Sequence, residues 1–138
     1  GFLMKFKCLD GSEVIFNLNR SDYPLRDSAD CKSNIQYRCG QSLKKIFPRH
    51  AIFEEFPIPK GNGLKLDFYI PNMGLAIEVQ GEQHNSYVRF FHVDRLGYAR
   101  AIANDKRKLS WCELNNITLI YITKDDNVRR IYKECRKD

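Results

Sequence analysis

No stretch of this sequence is apolar for long enough to cross a bilayer as a helix, and no basic segment followed by an apolar one marks its start. A membrane partner and a secretory route are therefore not expected. Cysteine is scarce and unpaired: Cys8, Cys31, Cys39, Cys112 and Cys135 make an odd count with no C-x-x-C motif. That excludes a secreted disulfide scaffold and a zinc finger, and it fits a reducing, intracellular (cytoplasmic) setting. Glycine (8 residues) and proline (5 residues) are too few for a collagen-like or low-complexity chain, and no internal repeat is present. Met4 is read as the natural start, with Gly1, Phe2 and Leu3 as an addition ahead of it.

What is present suffices for one domain spanning 1–138. A chain of 138 residues that is 43% hydrophobic buries a sizeable core without disulfides or a structural metal. Its 29% charged and 12% aromatic content excludes a disordered tail or a coiled coil. The net charge of +6 is uneven, with 11 basic against 10 acidic residues over 1–84 and 12 against 7 over 85–138. A basic second half points to a polyanionic partner, nucleic acid first.

The pattern predicts a hairpin over 4–18 turning at Asp10-Gly11, then a polar connector to residue 32. Ser33 is placed to cap a helix from Asn34 to Phe47, ended by Pro48, with Ile35, Cys39, Leu43, Ile46 and Phe47 on its buried stripe. Strands follow at 51–58, 64–70 and 75–80, joined by turns at Lys60-Gly61-Asn62-Gly63 and Pro71-Asn72-Met73-Gly74. A polar, aromatic loop covers 82–93. A long helix is predicted over 94–115 with Leu96, Ala99, Ile102, Ala103 and Leu114 facing inward, then a strand over 117–122 and a basic C-terminal helix within 123–138. This order predicts an α/β fold, a mixed central sheet flanked by helices, with an N-terminal β-hairpin.

Two acids stand out. Asp67 lies within Leu66-Asp67-Phe68-Tyr69-Ile70 and Glu78 within Ala76-Ile77-Glu78-Val79-Gln80, runs otherwise suited to burial. Strands joined by one tight turn set such residues side by side, and Gln80 leaves the same face as Glu78. Paired carboxylates call for a cation, and hard oxygen ligands suit Mg²⁺, with Mn²⁺ as a substitute. The bland alternative has Asp67 in solvent and Glu78 paired with a lysine such as Lys65.

The stretch from Leu66 to Pro71, followed by Ala76-Ile77-Glu78-Val79-Gln80-Gly81-Glu82-Gln83-His84, resembles the PD-(D/E)XK nuclease superfamily. It is most similar to the branch of very-short-patch repair and phage homing endonucleases, whose strand motifs read D-F-Y-x-P and I-E-x-D/Q-G-x-x-H. Asn104-Asp105-Lys106-Arg107-Lys108 and Leu114-Asn115-Asn116-Ile117 resemble that branch's R-D-x-x-K helix and E-N-G-I end. The likeness runs from about Ser33 to Ile122, so 33–122 is the expected nuclease core, restriction-endonuclease-like.

The resemblance implies Asp67 and Glu78 as metal ligands, with the Val79 carbonyl as a third oxygen. It sets Gln80 where the family often has lysine, as a water-orienting amide. Lys108 would supply the missing positive charge, and His84 a general acid or base. Gln36 replaces a glutamate usual in the first helix. Arg89, Lys106, Arg107, Arg129, Arg130 and Lys133, with Arg136 and Lys137, are expected to meet the nucleic-acid backbone, which positions without specifying sequence. The implied activity is Mg²⁺-dependent hydrolysis of DNA phosphodiesters in a phage or bacterial host cell. Selectivity would come from a DNA structure, a homodimer or a separate specificity subunit. A catalytically inactive nuclease-fold binding module is the alternative, and a protein-interaction domain with incidental charge a third reading.

Overall fold

The structure is a computed structural model that describes residues 1–81 and 106–123, the side chains of Gln80, Gly81 and Thr123 excepted. The hairpin pairs β1 (Phe2–Lys7) with β2 (Glu13–Leu18), Phe2 opposite Leu18 and Lys7 opposite Glu13. Its turn holds Gly11 at a φ of 90°, a conformation open to glycine, while Asp10 Oδ1 accepts from the Ser12 N–H at 2.8 Å. The strand takes in Phe2 and Leu3, with Leu3 opposite Asn17.

Helix α1 (Asn34–Ile46) opens as expected, the Ser33 hydroxyl accepting from the Gln36 N–H at 3.1 Å. Its buried face is Gln36, Cys39, Gly40 and Leu43. Ile35 and Ile46 are only half-buried, so the expected stripe is rotated and a polar residue lies at its centre. A Cβ on Gly40 would stand 3.2 Å from Phe68 Cε1, so the helix presses close onto the sheet there.

The sheet runs β3 (Phe53–Pro57), β4 (Lys65–Ile70), β5 (Leu75–Gly81) and β6 (Thr118–Thr123), in that spatial order. The first three strands form an antiparallel meander, and β6 lies parallel to β5. Pro57 is tolerated because β3 is an edge strand. A short 3₁₀ turn at Pro71–Met73, closed by Gly74 at a φ of 56°, joins β4 to β5. Helix α2, described over 106–114, belongs to the crossover between β5 and β6. The fold is therefore α/β, a mixed sheet with helices and an N-terminal hairpin.

Two buried clusters lie on the sheet. One joins Cys39, Leu43 and Phe47 to Phe68, Ile70, Leu75 and Ile77. The other joins Phe6 and Leu18 of the hairpin to Phe56, Leu66, Tyr69, Trp111 and Cys112. Phe6 and Trp111 pack with ring centroids 5.3 Å apart, both almost wholly buried. Full burial of such a side chain stabilises by about 1.5–3 kcal/mol, so the hairpin is part of the core. Leu114, expected inside, is instead 43% exposed, while Trp111 and Cys112 face inward. The helix predicted over 94–115 is described from residue 106, while its 94–105 part, the 82–93 loop and the helix within 123–138 lie outside the described residues. Among those described, no helix is long and apolar enough to cross a membrane.

Candidate functional site

The antiparallel registers bring three acids into one row. Glu54 pairs with Phe68 and Phe56 with Leu66, which sets Glu55 opposite Asp67. Phe68 pairs with Ile77, so one step further along the strands Asp67 meets Glu78. Asp67 is also where the faces of β4 change order. Leu66 and Tyr69 belong to the cluster with Trp111, whereas Phe68 and Ile70 pack with α1.

Asp67 and Glu78 lock each other's backbone. The Asp67 N–H donates to Glu78 Oε2 at 2.7 Å, and the Val79 N–H donates to Asp67 Oδ2 at 2.8 Å. The inner oxygen of each carboxylate thus takes an amide in place of a strand partner, which fixes both side chains. The outer oxygens face lysines: Lys108 Nζ lies 2.5 Å from Glu78 Oε1, and Lys32 Nζ lies 3.1 Å from Asp67 Oδ1. The bland alternative fails for Asp67 but holds in kind for Glu78, which pairs with a lysine. Asp67 is buried rather than in solvent, and the lysine on Glu78 is Lys108 rather than Lys65.

Burial pushes the Glu78 carboxyl up to about 7, and the neighbouring Asp67 charge adds to the rise, against the pull of Lys108. Burial alone would lower Lys32, but the charge and hydrogen bond of Asp67 and the charge of Glu55 outweigh it and hold its ammonium above the usual lysine value. Burial, with the charges of Asp67 and Glu54, raises the Cys39 thiol to about 12. Burial and Glu78 raise Cys112 equally far, to about 12. Both thiols are neutral at physiological pH, so neither serves as a nucleophile.

Three further participants went unread in the sequence. Glu54 is buried and accepts from the Arg26 N–H at 2.7 Å and from Gln36 Nε2 at 2.8 Å, fastening the connector and α1 to the sheet. Gln36 is therefore a donor to a buried carboxylate, a task a glutamate there would not perform without a proton. Glu55 has a φ of 55°, and its buried Oε2 makes no hydrogen bond, with Lys32 Nζ at 3.3 Å as an ionic contact. The signal for both acids was in the sequence: adjacent charges inside Ala51–Ile58, an otherwise apolar strand, as with Asp67. Nothing local marked Lys32.

Of the expected nucleic-acid contacts, Lys106 is exposed, whereas Arg107 is half-buried and donates to the Gly61 carbonyl at 3.3 Å. Arg107 is thus tied to the β3–β4 turn. His84, Arg89, Arg129, Arg130, Lys133 and the side chain of Gln80 lie outside the described residues. Among the described residues, no group of three or more His, Cys, Asp or Glu side chains is arranged to hold a metal ion. Two carboxylates are enough for Mg²⁺, which keeps several waters and completes its shell with substrate oxygens. The carboxylate oxygens of the Asp67–Glu78 pair are hard donors of the kind that ion takes.

No family model and no solved structure matches the chain. Two curated viral proteins do. It is 32% identical over 98 residues to uncharacterized protein 033L of Invertebrate iridescent virus 3, covering 70% of this chain and 48% of that protein. It is 34% identical over 80 residues to uncharacterized protein 307L of Invertebrate iridescent virus 6, covering 53% of this chain and 41% of that protein. The chain thus spans about half the length, or less, of the curated relatives it matches.

Proposed function

We propose that this chain carries the centre of a divalent-metal-dependent DNA endonuclease of the PD-(D/E)XK type, using Mg²⁺ or, in its place, Mn²⁺. One observation carries the reading: two buried carboxylates, each fixed by the other strand's amide, turn their remaining oxygens toward cations. Two adjacent buried acids repel unless cations meet them or one holds a proton, so the pair is a place where a cation is welcome.

In this reading Asp67 and Glu78 hold the ion, with the Val79 carbonyl as a further oxygen. A divalent ion held there would supply a more acidic attacking water and a polarised phosphoryl group. Lys108 neutralises charge on the Glu78 side, where the strand position often filled by lysine holds Gln80. Gln80 orients water, and His84 moves a proton to or from the reacting oxygens. Basic side chains on the second half of the chain hold the DNA backbone.

The test is nicking or linearisation of supercoiled plasmid with Mg²⁺ or Mn²⁺, with chelator, Asp67→Asn and Glu78→Ala as controls. Metal-dependent cleavage that both variants lose is expected. The lysines favour a second reading, a binding module without cleavage, because they satisfy both outer oxygens with no metal. DNA binding that is indifferent to chelator, with no cleavage by the wild type, would replace the first reading with the second.

A further inference from the structure

Lys32 lies in the connector, one residue before the cap of α1, and reaches two acids of the row at once. Its Nζ is 3.1 Å from Asp67 Oδ1 and 3.3 Å from Glu55 Oε2. The contact is unequal in a telling way. The Lys32 side chain is 56% exposed, while those of Glu55 and Asp67 are 8% and 9% exposed. The carboxylates are therefore fixed in the sheet, and the ammonium comes to them from outside on a flexible stem.

Glu55 makes sense only with that ammonium. Its left-handed backbone is costly for a residue with a side chain, and such strain persists where the surroundings impose it. Its Oε2 is buried without a hydrogen bond, so the charge of Lys32 is what meets it there. The same ammonium occupies the one Asp67 oxygen that the Val79 amide leaves open. A divalent ion on that oxygen would stand within a few ångströms of a second positive charge, and the two repel strongly in a buried site. The ammonium gives way, and Lys32 is the more exposed of the two lysines that meet the pair. Glu55 keeps it within reach when it gives way.

We propose that Lys32 is the tethered cation of this site: it holds the metal face of Asp67 until a divalent ion displaces it, and then, kept close by Glu55, it binds the phosphate of the substrate. This rests on the reading of the site as metal-dependent. Lys108 is less free for the task, being paired with Glu78 and only 17% exposed. The amide of Gln80 carries no charge to offer.

Two measurements on the whole chain test this, Mn²⁺ binding and the affinity for a short DNA duplex in excess Ca²⁺ or in chelator. With its competitor removed, Lys32→Met is expected to bind Mn²⁺ about tenfold more tightly than the wild type. Its duplex affinity is expected to fall about threefold or more in Ca²⁺ and to stay unchanged in chelator, where the wild-type lysine is occupied. Lys32→Gln, with a polar chain, should behave alike, and Lys32→Arg should stay near the wild type in both. Unchanged or weaker Mn²⁺ binding in the folded Met and Gln variants overturns the proposal. So does an equal loss of duplex binding with and without metal, the mark of a generic surface charge. A wild type that binds no Mn²⁺ fails earlier, at the metal-dependent reading itself.

Discussion

The charge of Glu78 is the most conditional feature of the site. Burial first, then the Asp67 charge, raises its carboxyl to about 7, well above an ordinary glutamate. A folded-state pKa above the unfolded one means that the folded chain binds the proton more tightly. Without metal, this group therefore adds stability below the unfolded value, near 4.5, and that contribution is lost as pH rises through about 7. Denaturant unfolding in chelator, from pH 5 to 7.5, should show the wild type losing stability relative to Glu78→Gln as pH rises. A difference that stays flat with pH would show that Glu78 titrates normally. Gln36 makes a second case at this scale. Its amide donates to buried Glu54 at 2.8 Å, so Gln36→Glu, the residue usual in the resembling family, sets two carboxylates face to face. It should cost about 1–3 kcal/mol at neutral pH and less in acid, where one of the pair protonates. An unchanged unfolding midpoint would mean that Glu54 does not depend on that donor.

Among the elements, the link between hairpin and α2 is the one that local sequence could not announce. Asn115 Oδ1 accepts from the Lys7 N–H at 2.8 Å, and its Nδ2 donates to the Lys7 carbonyl at 3.0 Å and to the Trp111 carbonyl at 2.9 Å. One side chain thus closes the helix end and fastens β1 beside it. Asn115→Ala should lower stability by about 1–3 kcal/mol, with faster amide exchange at Lys7. Loss of stability without that local exchange would place the role in the helix cap alone. The strands and turns were legible because alternation, Gly-Gly spacing and Pro71 act locally. Asp67 and Glu78 were legible because charge inside an apolar strand demands a partner. Which partner it finds depends on residues distant in sequence, so Lys32 and the Glu54–Gln36 bond stayed hidden. Leu114 misled for a simpler reason. It lies about 200° around the helix from Cys112, which turns it away from the buried face.

For the whole molecule, the distribution of charge sets the terms of binding. The row of Glu55, Asp67 and Glu78 is met by Lys32 and Lys108, so those two lysines are committed to acids in the structure without DNA. Arg107 is held by the Gly61 carbonyl. Beyond the one phosphate proposed for Lys32 once metal is bound, a DNA backbone would draw on other basic residues, and the sequence concentrates them late, at Arg129, Arg130 and Lys133. Each phosphate neutralised adds about 0.9 to the slope of log affinity against log salt on duplex DNA, whatever its sequence. Replacing Arg129, Arg130 and Lys133 together by alanine should make that slope shallower by about 2.7 if all three meet phosphates. Binding should weaken equally on unrelated duplexes, because such contacts position the protein without reading bases. Titrations between low and moderate salt, on two duplexes of different sequence, measure both effects. An unchanged slope would remove the C-terminal stripe from the interface. A loss confined to one duplex would give the stripe a part in base recognition, which the net charge of +6 by itself does not supply.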